Sequence, residues 1–284
     1  MKLVSERISH PRLGLALLFG VLVAVLAVET AAAAHGARRG YPNSMVVIGH
    51  SGATGEDSDP ARPHVEVRAN SWATGTNPAV RSIYQRLLAK NPLIHGHNSN
   101  LAQAGGTVEQ LLDQARRAIH LRPKPQLVLV QTIDNDLVCP AHARDYSRYR
   151  SRLLSVLRLL ARKLPRAKIF ITAQLGLPTT EWQTLTLAER QQAGGTGPCD
   201  YLDLQGEVVQ SKLVRLVRVM RGYDAQVKAA CAQEPRCAFD GPLYERQVHH
   251  RRYVSEDLNH LSVAGHAWAA QVAWAAMRHT RVVP

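Results

Sequence analysis

The 284-residue chain has few aromatic residues, with Phe, Trp and Tyr together at 5%. It has no RNP-type aromatic set, no zinc-finger spacing and no basic arm, so the usual signs of nucleic-acid recognition are missing. Cysteine is scarce as well. Cys139, Cys199, Cys231 and Cys237 are too few for a disulfide-dense miniprotein, and without a CxxC pair they do not suit zinc. Acid is in deficit: 22 Asp and Glu stand against 35 Lys and Arg, a formal charge of +13. That balance raises an anionic partner such as nucleic acid, membrane or cell wall, but it says nothing about fold. The single long apolar run, Leu13 to Val28, has 16 residues, short of the ~20 that span a bilayer.

That run has the form of an export signal. Lys2, Arg7 and Arg12 precede it, Glu29 closes it, and the small residues Ala31 to Ala34 come next as a cleavage site. The expected organisation is a signal peptide at 1–34, a linker at 35–44 and one domain at 45–284, a length that supports a single core. The exported part keeps a charge of about +12, so the basicity belongs to the domain. Export also makes four cysteines read as two disulfides. Three pairings are open, and the favoured one joins Cys231 to Cys237 across a short loop and Cys139 to Cys199 between two long ones.

Along the domain, Met45 to Ile48 is a continuous apolar run ending at Gly49, as a buried parallel strand would be. Gln126–Thr132 and Lys168–Ala173 repeat the pattern, and a short strand is expected near Cys237–Phe239. Helical spacing predicts helices over Pro78–Lys90, from an N-cap at Thr107, and over about 145–164, 206–231 and 262–279. Residues 51–77 form a long polar loop, and 176–204 a Gly/Pro/Thr-rich excursion. Strands and helices alternate without hairpin signals or repeats, which predicts a three-layer α/β domain with a mainly parallel sheet. The active site of such a sheet lies beyond the carboxyl ends of its strands.

Four stretches could carry chemistry there. Ser51, in Gly49-His50-Ser51-Gly52, directly follows the first strand, where a nucleophile would be presented. Asp257 stands three residues before His260, a spacing that lets a carboxylate fix the imidazole tautomer. Asn135 comes after the second clear strand and could donate to a developing oxyanion. Gly105-Gly106-Thr107 precedes a helix whose free N–H groups can face an anion. Each also has a purely structural explanation as a turn or cap; together, in this order, they supply a nucleophile, oxyanion donors and a base.

Through the stretches VVIGHSGATG, NLAQAGGTVEQLL, LVLVQTIDND and DLNHLSVAGHAWAA, the chain resembles the SGNH hydrolase (GDSL esterase/lipase) superfamily, from about Met45 to Ala276. Asn70-Ser71-Trp72-Ala73 resembles the segment downstream of the nucleophile in secreted bacterial members. The resemblance implies a flavodoxin-like five-stranded sheet in the order 2-1-3-4-5. It implies Ser51 as nucleophile, His260 as base and Asp257 as its orienting acid. The oxyanion would be held by the N–H groups of Ser51 and Gly105 and by the Asn135 amide. Gly105 is favoured over Gly106 because Gly-Gly-Thr matches the family's Gly-x-Thr. Two positions depart from the pattern: His50 stands where the family has Asp, and Ile133 where it has Gly.

The implied activity is that of a secreted serine esterase acting on acyl esters of lipids or on O-acetyl groups of glycans. A catalytically weak or inactive protein that binds glycan or lipid at the cell envelope is the alternative. No cofactor or metal is expected, since His249-His250 and Asp134/Asp136 read as surface and turn residues. The excursion 176–204, with Leu175, Leu177, Trp182 and Leu185, is either a lid over an acyl pocket or a packed loop. Nine Lys and Arg between Arg144 and Lys168, against the one acid Asp145, form a solvated basic face suited to an anionic envelope rather than nucleic acid. A monomer is expected.

Overall fold

The computed structural model describes residues 40–172, 181–241 and 249–284. All of them belong to one unit that runs from Arg38 to Pro284. The export signal at 1–34, Leu175 and Leu177 of the excursion, and Ala173 at the end of the third predicted strand lie outside the described residues. No helix among the described residues is long and apolar enough to cross a membrane.

The sheet is built from β1 (Met45–Ile48), β2 (Asn98–Asn100), β3 (Leu127–Gln131), β4 (Lys168–Thr172) and β5 (Cys237–Phe239). All pairs are parallel and the order is β2-β1-β3-β4-β5, as the resemblance implies. The apolar runs form the central strands because helices cover both faces. Alternate residues feed two cores. Met45, Val47, Leu127, Leu129 and Phe170 pack against helices α1 (Ile83–Leu88) and α6 (Val263–His279). Val46, Ile48, Val128, Val130, Ile169 and Ile171 pack against α2 (Val108–Ala118), α3 (Ala143–Lys163) and α5 (Gln210–Cys231). This is the expected three-layer α/β architecture.

The differences from expectation are local. The first helix starts at Ile83 rather than Pro78, because Arg81 has a positive φ of 49° and Ser82 with Gln85 forms a capping box. Gly206 (φ 77°) closes a turn onto Asp203, so α5 starts at Gln210. Within the excursion, Thr186 and Glu189 cap an additional short helix, α4 (Leu187–Ala193). Residues 41–44, on the linker side of the expected boundary, are bonded into the domain. Asn91 Nδ2 donates to the carbonyl of Pro42 (3.0 Å), and Ser44 Oγ to that of Lys124 (2.7 Å).

Two disulfides, Cys139–Cys199 and Cys231–Cys237, match the favoured pairing. The first ties the loop after β3 to the excursion; the second closes the short link between α5 and β5. All nine basic residues between Arg144 and Lys168 are exposed. Arg148 and Arg152 both pair with Glu109 at 3.0 and 3.1 Å.

Candidate active site

The turn after β1 is shaped by close backbone packing. Gly49 (φ 150°) lies so near the sheet that a Cβ there would sit 2.3 Å from the carbonyl oxygen of Gln131. The buried side chain of Gln114, on α2, holds Gly49 from both sides: the Gly49 N–H donates to its Oε1 (2.6 Å), and its Nε2 donates to the Gly49 carbonyl (2.9 Å). Beyond this clamp the chain enters a 3-10 turn, Ser51–Ala53, whose N-cap is His50. Ser51 is 6% exposed. Its carbonyl accepts from Thr54 N (2.9 Å), and its Oγ has no hydrogen-bond partner among the described residues. The segment Asn70–Ala73 braces this turn from beneath. Ser71 Oγ donates to Ala53 O (2.6 Å), and Trp72 Nε1 donates to Gln131 Oε1 (2.8 Å).

Two other loops close on the same turn. Gly106 packs on Gly49, where a Cβ would lie 2.6 Å from the Gly49 carbonyl oxygen. Its N–H is spent on Gln103 O (3.1 Å), whereas the N–H of exposed Gly105 (φ 67°) makes no hydrogen bond among the described residues. Asn135 Nδ2 donates to Gly106 O (3.1 Å), which brings that amide to the Gly105-Gly106 turn. Ile133, two residues earlier, has φ 99°, a backbone region that costs a β-branched residue of order 1–3 kcal/mol. Its side chain is fully buried in the core, and burying an Ile side chain is worth ~1.5–3 kcal/mol, enough to offset most of that cost. Packing therefore accounts for a branched residue where the family pattern has Gly. Asp136, expected to be a turn residue, caps α2 by accepting from Val108 N (3.0 and 3.1 Å). Burial raises its pKa to about 6 despite that hydrogen bond.

The histidine comes from the loop before α6. An isolated bridge between Val254 and Leu261 pins the loop's ends, and Ser255 N donates to His260 O (2.8 Å). Inside it, Asp257 Oδ1 accepts from Asn259 N and His260 N, both at 3.0 Å, and from Ser255 Oγ. Asp257 Oδ2 lies 2.6 Å from His260 Nδ1. Burial alone would raise the Asp257 pKa, but these hydrogen bonds, that from the His260 ring first, hold it well below the usual carboxylate range. An ionised partner on Nδ1 places the proton there and leaves Nε2 of the neutral ring as the base.

Other acids face the same ring. Glu56 Oε2 is 3.6 Å from His260 Nε2, and Asp57 Oδ2 is 3.6 Å from Nδ1. Burial pulls the His260 pKa down, yet the hydrogen bond its ring donates to Asp257 and the charges of Asp257, Glu56 and Asp57 leave it raised. Glu56 is itself shifted upward, first by burial. Asp57, Asp257 and His260 each bring a ligand-type atom within 4.8 Å of the others, and two of the three already share the Asp257–His260 hydrogen bond.

A cavity of about 540 Å³ opens against both neighbours of Ser51, His50 and Gly52, and against Asp257 and His260. Leu216 and Met220 of α5, with Leu137 and Leu202, give it an apolar wall. Gln131, Gln192, Thr196 and Asn259 add polar groups. The described part of the excursion supplies Gln192, Ala193, Thr196, Gly197, Tyr201 and Leu202 to this lining. It is anchored by the Cys139–Cys199 disulfide and by Glu189, which accepts from Arg251 Nε (2.6 Å).

One expectation is corrected. His249 is not a surface residue: it is buried against Trp268, with ring centroids 5.4 Å apart, and it lines the cavity. Its exposed neighbour His250 keeps the surface place expected for both. Gln114, Glu56 and Asp57 are site residues that sequence reasoning missed. Gln114 carries one signal, a polar residue on the helix face shared by Leu111, Ala115 and Ala118.

The five-stranded parallel sheet in this order, flanked by helices, is the fold that this chain shares with TesA and a GDSL-like lipase. No protein-family model matches the sequence, and no curated protein matches it. Solved structures share the fold at low identity. TesA is 15% identical, with 84% of this chain and 99% of that one covered and a TM-score of 0.53. A protein described as a GDSL-like lipase, from Parabacteroides merdae, is 14% identical, covering 85% and 99%, with a TM-score of 0.53. A family two carbohydrate esterase from Clostridium thermocellum, solved with cellohexaose, is 17% identical, covering 86% and 66%, with a TM-score of 0.52.

Proposed function

We propose that the chain is a secreted serine esterase that hydrolyses carboxylic esters. The observation that carries this reading is the 2.6 Å Asp257–His260 pair, held in a hydrogen-bonded loop that lines the same cavity as both neighbours of Ser51. In the proposed reaction Ser51 Oγ attacks the acyl carbon and passes its proton to His260 Nε2. The N–H groups of Ser51 and Gly105 and the amide of Asn135 receive the oxyanion. The alcohol leaves with the proton from His260. Water, deprotonated by the same ring, then releases the acid and frees Ser51. The apolar lining at Leu216 and Met220 suits an acyl group, and the polar lining groups suit an alcohol portion rich in oxygen. Acyl esters of lipids and O-acetyl groups of glycans both fit this description. Two disulfides and the signal-like N-terminus support an oxidising, extracytoplasmic location.

A second reading, a weak or inactive ester-binding protein of the envelope, has its own observation: His260 Nε2 faces Glu56, and Ser51 Oγ makes no hydrogen bond among the described residues. Hydrolysis of p-nitrophenyl acetate separates the two. The esterase reading expects turnover that falls at least about a thousandfold in Ser51→Ala, and equal rates for the two proteins would overturn it.

A further inference from the structure

His50 occupies the position of a family Asp and has no part in the reaction above. It is 3% exposed and lies in the cavity wall. Its Nδ1 accepts a hydrogen bond from Gly52 N (3.1 Å), so the neutral ring must carry its proton on Nε2. Burial lowers the pKa of His50, with His260 adding to the effect and Asp134 opposing it, which keeps the ring neutral. Nε2 is buried and has no hydrogen-bond partner among the described residues. A buried donor left without an acceptor is destabilising, and in a cavity wall a ligand oxygen can satisfy it.

Resting on the serine-esterase reading, we propose that His50 is a specificity-determining residue. Its Nε2–H donates to a hydroxyl or ring oxygen of the alcohol portion, selecting O-acylated glycans over simple alkyl or aryl esters. A simple ester offers one good acceptor, the carbonyl oxygen, and the proposed oxyanion donors already serve it. A further donor is useful only to a substrate with more oxygens. Asp134 Oδ2 lies 3.9 Å from Nδ1 and opposes an anion there, so a neutral sugar oxygen fits where a phosphate does not. Gln131, Gln192, Thr196 and Asn259, in the same lining, offer the additional polar contacts a sugar would use.

The test compares two acetyl esters that differ only in the alcohol: a mono-acetylated xylo-oligosaccharide and p-nitrophenyl acetate. The ratio of their kcat/KM values is measured for the wild type, His50→Leu and His50→Gln. The proposal expects His50→Leu to lower the sugar-to-aryl ratio at least tenfold, mainly through KM, and His50→Gln, which keeps a donor, to recover most of it. An unchanged ratio, or an equal loss on both esters carried by kcat, overturns the proposal. So does a wild type that cleaves the aryl ester and leaves the sugar ester intact, an outcome in which the esterase reading still stands. That reading fails separately if Ser51→Ala cleaves both esters as the wild type does. Should His50→Leu not fold, wild-type protein with 15N-labelled histidine is titrated with the deacetylated oligosaccharide. A shift of the His50 Nε2 resonance is expected, and its absence overturns the proposal.

Discussion

Glu56 offers the sharpest quantitative prediction. Its Oε2 lies 3.6 Å from His260 Nε2, with the two side chains 21% and 14% exposed. At that distance two unit charges interact by ~1.2 kcal/mol in a water-like dielectric and by ~2.3 kcal/mol at half that value. A partly hydrated pair falls between these limits, so an ionised Glu56 favours the protonated over the neutral His260 ring, in line with its raised pKa. The base works only when neutral, so esterase activity rises with pH through the raised His260 pKa. Glu56→Gln removes a negative charge and should move the acid limb of kcat/KM to lower pH. Asp57 and Asp257 remain in the variant and continue to hold the pKa up. The assay is p-nitrophenyl acetate hydrolysis from pH 5 to 9, each protein scaled to its own plateau. A limb that stays in place, or moves to higher pH, would refute the placement of Glu56 against Nε2. Stability runs the opposite way from activity: a raised histidine pKa contributes stability below the unfolded value of ~6.5, which is lost as pH rises through the folded value.

Two further outcomes rest on the geometry. Asn135→Ala should lower kcat by ~10²–10³ with little change in KM, if its amide is an oxyanion donor; an effect confined to KM would remove it from that role. Cys199→Ser opens a loop of sequence separation 60, and Cys231→Ser one of 6. Chain entropy then predicts losses of ~4 and ~2 kcal/mol in denaturant unfolding, and the reverse order would show that loop closure is not the governing effect.

Much of the fold is legible because both faces of the sheet are covered, so β1, β3 and β4 read as uninterrupted apolar runs. β2, Asn98-Ser99-Asn100, is a polar strand at the sheet edge and carries no such signal. α4 is hidden because its seven residues include none that is buried, and its capping box lies inside a Gly-rich stretch. In the site, Ser51, Gly105, Asn135, Asp257 and His260 are visible because each sits at a fixed offset from a strand or helix end. Glu56, Asp57 and His249 are not. Their roles depend on long-range packing: a loop folded back onto the α6 entrance, and an imidazole buried against Trp268. The pairing of Gln114 with Gly49 spans 65 residues and comes from tertiary contact alone.

The central claim is that Ser51 is a nucleophile activated by His260. Its most direct test is reaction of the intact protein with a fluorophosphonate probe, read by mass spectrometry and peptide mapping. The account predicts a single adduct on Ser51, absent in Ser51→Ala and formed far more slowly in His260→Ala. No adduct, or one on another residue, would contradict it.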